Sequence, residues 1–316
     1  MSEQTIPVVD LERYKSGTAT DRDHFVRALG DALADIGFFA VENHGVDQEL
    51  IREAYRVAEA LFELPAEEKQ RYEDPAVKGQ RGFTSFGREH AKDNQAPDLK
   101  EFWHVGREPD GEGNWASVYG ANIWPQHPPE FKPIMLELYR QLESCAFYLL
   151  EACALYIGQH KTLLADMARG GDTILRVIHY PPVPADRNPA SVRAAAHEDI
   201  NLITLLCEST APGLELLQRD GAWRPIHALE GQIIADAGDM LQHVTNGLLR
   251  STTHRVTNPS NDRQRRFSMP FFVHPRGEVD LSPLPSCIEQ TGGTQHFPNT
   301  SARQFLDERL AQIGLG

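Results

Sequence analysis

Cysteine is scarce in this chain and never closely paired: Cys145, Cys153, Cys207 and Cys287 are the only four in 316 residues, and no CxxC occurs. That excludes a disulfide framework or a zinc knuckle and fits reduced thiols. Positive charge is also short, with 31 Lys and Arg against 45 Asp and Glu for a net charge of −14. Such a surface repels phosphate backbones and anionic membranes, so neither nucleic acid nor membrane is an expected partner. No apolar run approaches the roughly 20 residues of a membrane span, and the opening MSEQTIPVVDLERY has no basic region followed by an apolar stretch. No secretory signal is visible, and a cytoplasmic location is expected. Internal repeats, low-complexity linkers and an HExxH zinc motif are absent too.

What is present suits one sizeable core. Apolar residues make up 41% and charged residues 24%, both ordinary for a globular chain. After a short β-like run from Ile6 to Leu11, Phe25, Val26, Leu29, Leu33 and Ile36 recur at helical spacing over residues 22–36. Gly37 to Val41 reads as a buried strand, and a second helix is expected from about Asp47 to Leu64, closed by Pro65. Residues 73–128 are rich in Gly, Pro, Asn and Asp and read as loops that rim a pocket. From Pro129 to Ile157 runs the longest helical stripe, expected to brace a sheet.

From Thr173 onward the pattern changes to short β-type runs: ILRVIHY, VRAAAH, NLITLLC, LELLQ, WRPIH, QIIADA, MLQHVT and RRFSMPFFVH. Turn glycines at 213, 221, 238 and 247 punctuate them, so the expectation is a sandwich or closed double sheet within an α+β chain, not a parallel α/β sheet. Ser301 to Ile313 reads as a last helix, either a lid or a contact between copies; the oligomeric state is not legible.

Chemistry concentrates in this half. His197-Glu198-Asp199 ends a predicted strand, where residues two apart share a face, so His197 and Asp199 can converge on one ion while Glu198 points away. His254, opening another strand several hairpins later, is the candidate third ligand. Two imidazoles and a carboxylate leave coordination positions open, which suits Fe(II) binding a chelating co-substrate and O2 better than a closed zinc site. HxD alone arises often by chance. The second observation is Arg266-Phe267-Ser268, an i, i+2 pair inside an apolar run. A guanidinium there is suited to grip a carboxylate in two-pronged fashion, with the Ser268 hydroxyl adding a hydrogen bond.

These residues sit among IPVVDL, GFFAVENHGV, FELPAEEK, NIWP, YPP, GDMLQHVTNG and STTHRV, in that order along nearly the whole chain. The sequence resembles the isopenicillin N synthase-like branch of the Fe(II)/2-oxoglutarate-dependent dioxygenases. The resemblance implies a double-stranded β-helix (jelly roll) core with N-terminal and bracing helices. It implies His197, Asp199 and His254 as iron ligands, Arg266 and Ser268 on the distal carboxylate of 2-oxoglutarate, and Tyr180 hydrogen-bonded to that carboxylate. As one structural unit, residues 1–125 would form the N-terminal helical and loop region, 126–170 the bracing helix, 171–280 the oxygenase core and 281–316 a C-terminal extension. Two positions depart from the plant members: Ile178 stands where Asn is usual, and Glu198 where Thr is common.

By the same resemblance, Fe(II), 2-oxoglutarate and O2 are the cofactor and co-substrates, succinate and CO2 are released, and a small organic substrate is hydroxylated, desaturated or cyclised. Phe83, Phe86, Phe102 and His104 in the loop-rich segment, with Arg176 and His179 on the strand leading to Tyr180, are the candidate substrate contacts. His44, His160, His227 and His274 fall near turns and are expected to be structural. The alternatives are an Fe(II) oxidase of the same branch that does not use 2-oxoglutarate and, more remotely, a zinc hydrolase or a non-catalytic metal-binding module.

Overall fold

In a computed structural model, which describes residues 6–77, 79–89, 96–108, 119–183, 185, 187–188, 190–226, 229–258 and 263–312, two β-sheets face each other and helices cover the outer face of the larger. The chain runs through β1 (Val8–Asp10), α1 (Leu11–Ser16), α2 (Ala19–Asp35), β2 (Phe38–Glu42), α3 (Gln48–Phe62), α4 (Ala66–Gln70), β3 (Gly82–Thr84) and β4 (Glu101–Gly106). A long helix α5 (Phe131–Tyr156) and a short α6 (Leu163–Ala168) lead to β5 (Ile174–Tyr180), β6 (Ala194–His197), β7 (Ile203–Leu206), β8 (Leu214–Leu217), β9 (Trp223–Pro225) and β10 (Ile233–Ala237). The remainder is α7 (Asp239–Val244), β11 (His254–Val256), β12 (Arg266–Ser268), β13 (Pro270–Val273), α8 (Pro285–Gln290) and α9 (Ala302–Gln312).

The larger sheet is ordered β1-β2-β10-β7-β13-β5-β4-β3, with β12 also on β5; β1 and β2 are parallel and the other pairs antiparallel. The smaller is β6-β11-β8-β9, all antiparallel. These are the two facing sheets within an α+β chain that the strand pattern predicts, and the jelly roll that the family resemblance implies. Local chemistry fixes the helix starts: Thr18 and Asp21 form a reciprocal capping box on α2, and the Asp47 carboxylate accepts from Glu49 N at 2.8 Å on α3. The α5 stripe of Phe131, Met135, Leu138, Leu142, Cys145 and Leu149 is fully or almost fully buried against the sheet, as its spacing predicted.

Two sequence expectations are corrected. Residues 73–128 are not all loop, because β3 and β4 lie there and β4 pairs with β5 from Glu101 to Gly106. All six β4 residues are buried, so its two covered faces left no polar–apolar alternation to read. MLQHVT is not a strand but most of α7, where Met240, Leu241 and Val244 bury at i, i+1 and i+4. Gly238 starts that helix because a Cβ there would collide with the carbonyl of Asn201, and Asn246 and Gly247 end it in left-handed backbone at φ 53° and 84°.

Period-2 alternation sorts side chains between two environments. On β5, Leu175 and Val177 face the helices, while Ile178 and Tyr180 face the space between the sheets with Phe102, Ala194 and Val256. On β2 and β10, Phe39, Val41, Ile233 and Ala235 join the helical core, while Phe38, Ala40 and Ile234 meet Leu214 and Leu216 of the smaller sheet. The ionisable groups described next occupy the same inter-sheet space.

Candidate metal centre and cavity

His197 and His254 are register partners across the β6–β11 ladder, which brings their rings to 4.4 Å between centroids. Asp199, just beyond β6, places Oδ1 at 3.8 Å from His197 Nε2 and 3.7 Å from His254 Nε2. The three ligand atoms lie within 4.8 Å of one another, close enough to share one cation bonded at about 2 Å. Each imidazole donates its Nδ1 proton to a carbonyl, His197 to Ala195 at 2.7 Å and His254 to Thr252 at 3.1 Å, which leaves both Nε2 lone pairs free for a metal. The second Asp199 oxygen accepts from Thr204, whose strand partner is Asp236. Burial, and then the Asp199 charge beside it, push Asp236 well above the usual carboxylate range. Burial, and then the His254 ring, hold His197 well below the ordinary imidazole value, which keeps it unprotonated and ready to ligate. Glu198 is outside the cluster, as expected: it is exposed and accepts from Thr253.

Arg266 and Ser268 sit on β12, also in the inter-sheet space. Arg266 is 1% exposed, donates from Nε to Ala211 O at 3.0 Å and from Nη1 to Ser268 Oγ at 3.1 Å, and has no carboxylate in ion-pair range among the described residues. Tyr180 is its direct partner across the β12–β5 ladder, its ring 4.9 Å from the guanidinium carbon. Ile178 stands opposite Ser268, buried at 5%, where it extends an apolar wall that an Asn would interrupt.

A cavity of about 430 Å³ opens beside the His–Asp–His cluster. Of the sequence-predicted substrate residues, His104 and Arg176 line it as ladder partners, with Arg176 Nε 2.6 Å from His104 Nε2. Phe102 faces the same interior and lies under the guanidinium at 4.4 Å, while Phe272 covers it from 5.2 Å. Phe83 and His179 are corrections. Alternation turns both to the opposite face, Phe83 into the helical core and His179 onto Phe62, Phe267 and Glu101. Phe86 is 39% exposed and does not line the cavity.

Sequence reasoning missed several groups here. Glu89 joins Arg176 at 3.1 Å to Lys100 at 3.2 Å, and Lys100 also meets Asp98 at 2.9 Å. Burial opposes the Glu89 charge, but Arg176 and Lys100 outweigh it and hold the carboxyl far below its usual range. The signal available was DLKEFWH, in which Asp98, Lys100, Phe102 and His104 share one parity. His274, expected to be structural, lines the cavity, and burial lowers its pKa below the ordinary imidazole value. His44 keeps a turn role, accepting from Val46 N at 3.0 Å; His160 does the same toward Thr162, and His227 lies outside the described residues. The last helix closes one side: Leu306, Arg309 and Leu310 of α9 line the cavity, and Arg309 pairs with Asp239 at 3.1 Å.

Comparison with known proteins agrees with this geometry. Residues 6–127 match the N-terminal model of non-haem dioxygenases described for morphine synthesis, and residues 171–275 match the 2OG-Fe(II) oxygenase superfamily. The chain is 30% identical to the 2-oxoglutarate-dependent dioxygenase thnC of Trichoderma harzianum, covering 99% of both. Among solved structures, a 2OG-Fe(II) oxygenase family protein of Caulobacter crescentus is 35% identical with a TM-score of 0.86, over 98% of this chain and 99% of that one. A full-length Neurospora crassa protein in complex with alpha-KG is 25% identical with a TM-score of 0.86, over 98% of this chain and 97% of that one. The architecture, the His–Asp–His cluster and these likenesses converge: the chain belongs to the isopenicillin N synthase-like family of Fe(II)/2-oxoglutarate-dependent dioxygenases.

Proposed function

We propose that His197, Asp199 and His254 hold Fe(II), that Arg266, Ser268 and Tyr180 hold the distal carboxylate of 2-oxoglutarate, and that a small polar organic substrate occupies the cavity against His104, Arg176 and Phe272. The observation that carries the reading is Arg266: a guanidinium 1% exposed, without a carboxylate among the described residues, in the inter-sheet interior it shares with the His–Asp–His cluster. A buried cation lacking a counter-charge is costly, and a bound carboxylate removes that cost. The donor set fits the metal, with two free imidazole lone pairs and one carboxylate oxygen converging from three chain positions.

When bound, iron and 2-oxoglutarate supply the oxidation itself, consuming O2, releasing succinate and CO2 and delivering one oxygen atom to the substrate. The protein's own residues orient and enclose. Ala195 and Thr252 carbonyls fix both ligand rings, and Thr204 fixes Asp199. The rings of Phe102 and Phe272 both lie against the Arg176 guanidinium in the cavity wall, and His104 and Glu89 accept from its Nε and Nη1. Charged groups of both signs line the cavity, Glu89 and Lys100 on one wall and Asp239 and Arg309 on another, which favours a polar substrate over a hydrocarbon. Hydroxylation is the proposed outcome; product mass separates it from desaturation, as a gain of one oxygen against a loss of two hydrogens. A cytoplasmic enzyme is part of the proposal: no helix among the described residues is long and apolar enough to cross a membrane.

The test is anaerobic addition of Fe(II) and then 2-oxoglutarate to the metal-free protein, followed by succinate release in air across a panel of small substrates. A visible charge-transfer band on adding 2-oxoglutarate, and succinate formed in step with substrate consumed, are expected. Iron binding with no band and no succinate would leave the oxidase reading in its place.

A further inference from the structure

Arg193, one residue before β6, is 0% exposed and is the second guanidinium in the space around Tyr180. Its carbon Cζ lies 5.8 Å from the Tyr180 ring, against 4.9 Å for Arg266. Only Nη2 has a partner, the carbonyl of Gln264; Nε and Nη1 are buried with no hydrogen bond. No carboxylate pairs with Arg193 among the described residues, and none pairs with Arg266 either, so two like charges share one interior without an anion. Burial, and then the Arg266 charge, lower Arg193 to about 10, which still leaves it protonated near neutral pH.

Structural arginines are buried with their donors satisfied. Elsewhere in this chain the buried Lys100 meets two carboxylates, and Lys69 meets Glu101 at 2.8 Å. Arg193 is built differently: two donors and a full charge stay open beside the residues read above as the carboxylate site. We propose that Arg193 is a second cation for the distal carboxylate of the co-substrate, acting with Arg266 from the opposite sheet and making the site selective for a 2-oxo acid with a second carboxylate. The inference rests on the assignment of Arg266 to 2-oxoglutarate. Arg266 arrives on β12 of the larger sheet and Arg193 on the approach to β6 of the smaller, so a carboxylate held by both ties the two layers together beside the Tyr180 ring that both guanidinium groups approach.

The experiment uses the full chain with Fe(II) under anaerobic conditions and reads 2-oxoglutarate affinity from the charge-transfer band. Arg193→Met keeps the length and removes the charge. The expected result is a Kd for 2-oxoglutarate raised roughly ten- to a hundredfold, as for loss of a hydrogen bond to a charged group, with Fe(II) affinity unchanged. Affinity for 2-oxobutyrate, which has no distal carboxylate, should not move. The metal-free variant should unfold at the same or a higher temperature, because a buried unpaired charge has gone. If Arg193→Met does not fold, Arg193→Lys decides the matter, with a smaller rise in Kd for 2-oxoglutarate and none for 2-oxobutyrate. Unchanged 2-oxoglutarate affinity in the Arg193 variants, alongside a large loss in Arg266→Ala, overturns this inference and leaves the functional reading standing. Unchanged affinity in Arg266→Ala as well removes both.

Discussion

Arg266 and Tyr180 face each other directly across the β12–β5 ladder, the guanidinium 4.9 Å from the phenol ring. The pairing sets a cation in an apolar wall with no carboxylate among the described residues to meet it. Arg266→Ala is therefore expected to raise the 2-oxoglutarate requirement by at least about a hundredfold, the scale of cutting one partner from a buried ion pair, while Fe(II) still binds. Equal 2-oxoglutarate affinity in variant and parent, measured by the charge-transfer titration, would refute the role.

The metal reading separates two neighbours in space. His254→Ala removes one of three donors and should weaken Fe(II) binding more than about tenfold. Glu198→Ala removes only the exposed hydrogen bond with Thr253 and should change iron affinity by less than threefold, about 0.6 kcal/mol. A Glu198 variant as defective as His254→Ala in an anaerobic metal titration would sink the three-residue assignment.

Glu89 joins Arg176 and Lys100 inside the cavity wall, with Oε2 buried and without a partner. Glu89→Gln leaves those cations short of counter-charge and is expected to cost about 3 kcal/mol of stability, in the range for breaking buried pairs. Urea unfolding of the two proteins gives the comparison, and coincident midpoints would show the network to be energetically idle.

Mild acid should destabilise the fold through its buried histidines. Burial and then Arg176 hold His104 well below the ordinary imidazole value of 6.5, and burial lowers His274 as well. Both pKa values are lower folded than unfolded, so below pH 6.5 the unfolded chain binds more protons. The stability they contribute is complete above about pH 6.5 and drains as pH falls toward the lowered values, by about 1.4 kcal/mol for each tenfold drop in proton affinity on folding. Melting of the metal-free protein at pH 7.5, 6.5 and 5.5 tests this; a midpoint that does not fall between the last two contradicts it.

Arg309 clasps Asp239 at 3.1 Å with both side chains partly open to solvent, 30% and 13% exposed. Arg309→Ala should cost no more than about 1 kcal/mol overall. Its effect should be local, as faster amide hydrogen exchange across α9, the helix that walls the cavity. Exchange over residues 302–312 identical to the parent would show that the pair does not hold the helix down.

The legible parts were those with a short-range pattern. The α5 stripe repeats at helical spacing, and the pairs His197/Asp199 and Arg266/Ser268 each share a face because residues two apart on an extended chain must. β4 was illegible because helices cover one of its faces and the cavity network the other, so no alternation marks it inside a stretch rich in turn residues. In α7, six residues carry too few turns for a period to emerge, and its start at Gly238 depends on a contact with Asn201 that is distant in sequence. For Phe83 and His179 the chain segment indicates the pocket, but parity on β3 and β5 decides the face, and the three residues of β3 are too few to show an alternation.

The sequence by itself determined the class of chemistry: the ligand types, their i, i+2 spacing, the Arg–Ser pair in an apolar run and the ordered motifs along the chain. Tertiary structure decided which groups meet. Register across β6–β11 sets His254 beside His197, register across β12–β5 sets Arg266 beside Tyr180, and register across β4–β5 sets His104 beside Arg176. Ladder register depends on packing and turn geometry summed over the whole sheet, so no local reading of residues supplies it. The open donors of Arg193 are likewise a property of the interior, visible only once both sheets are in place.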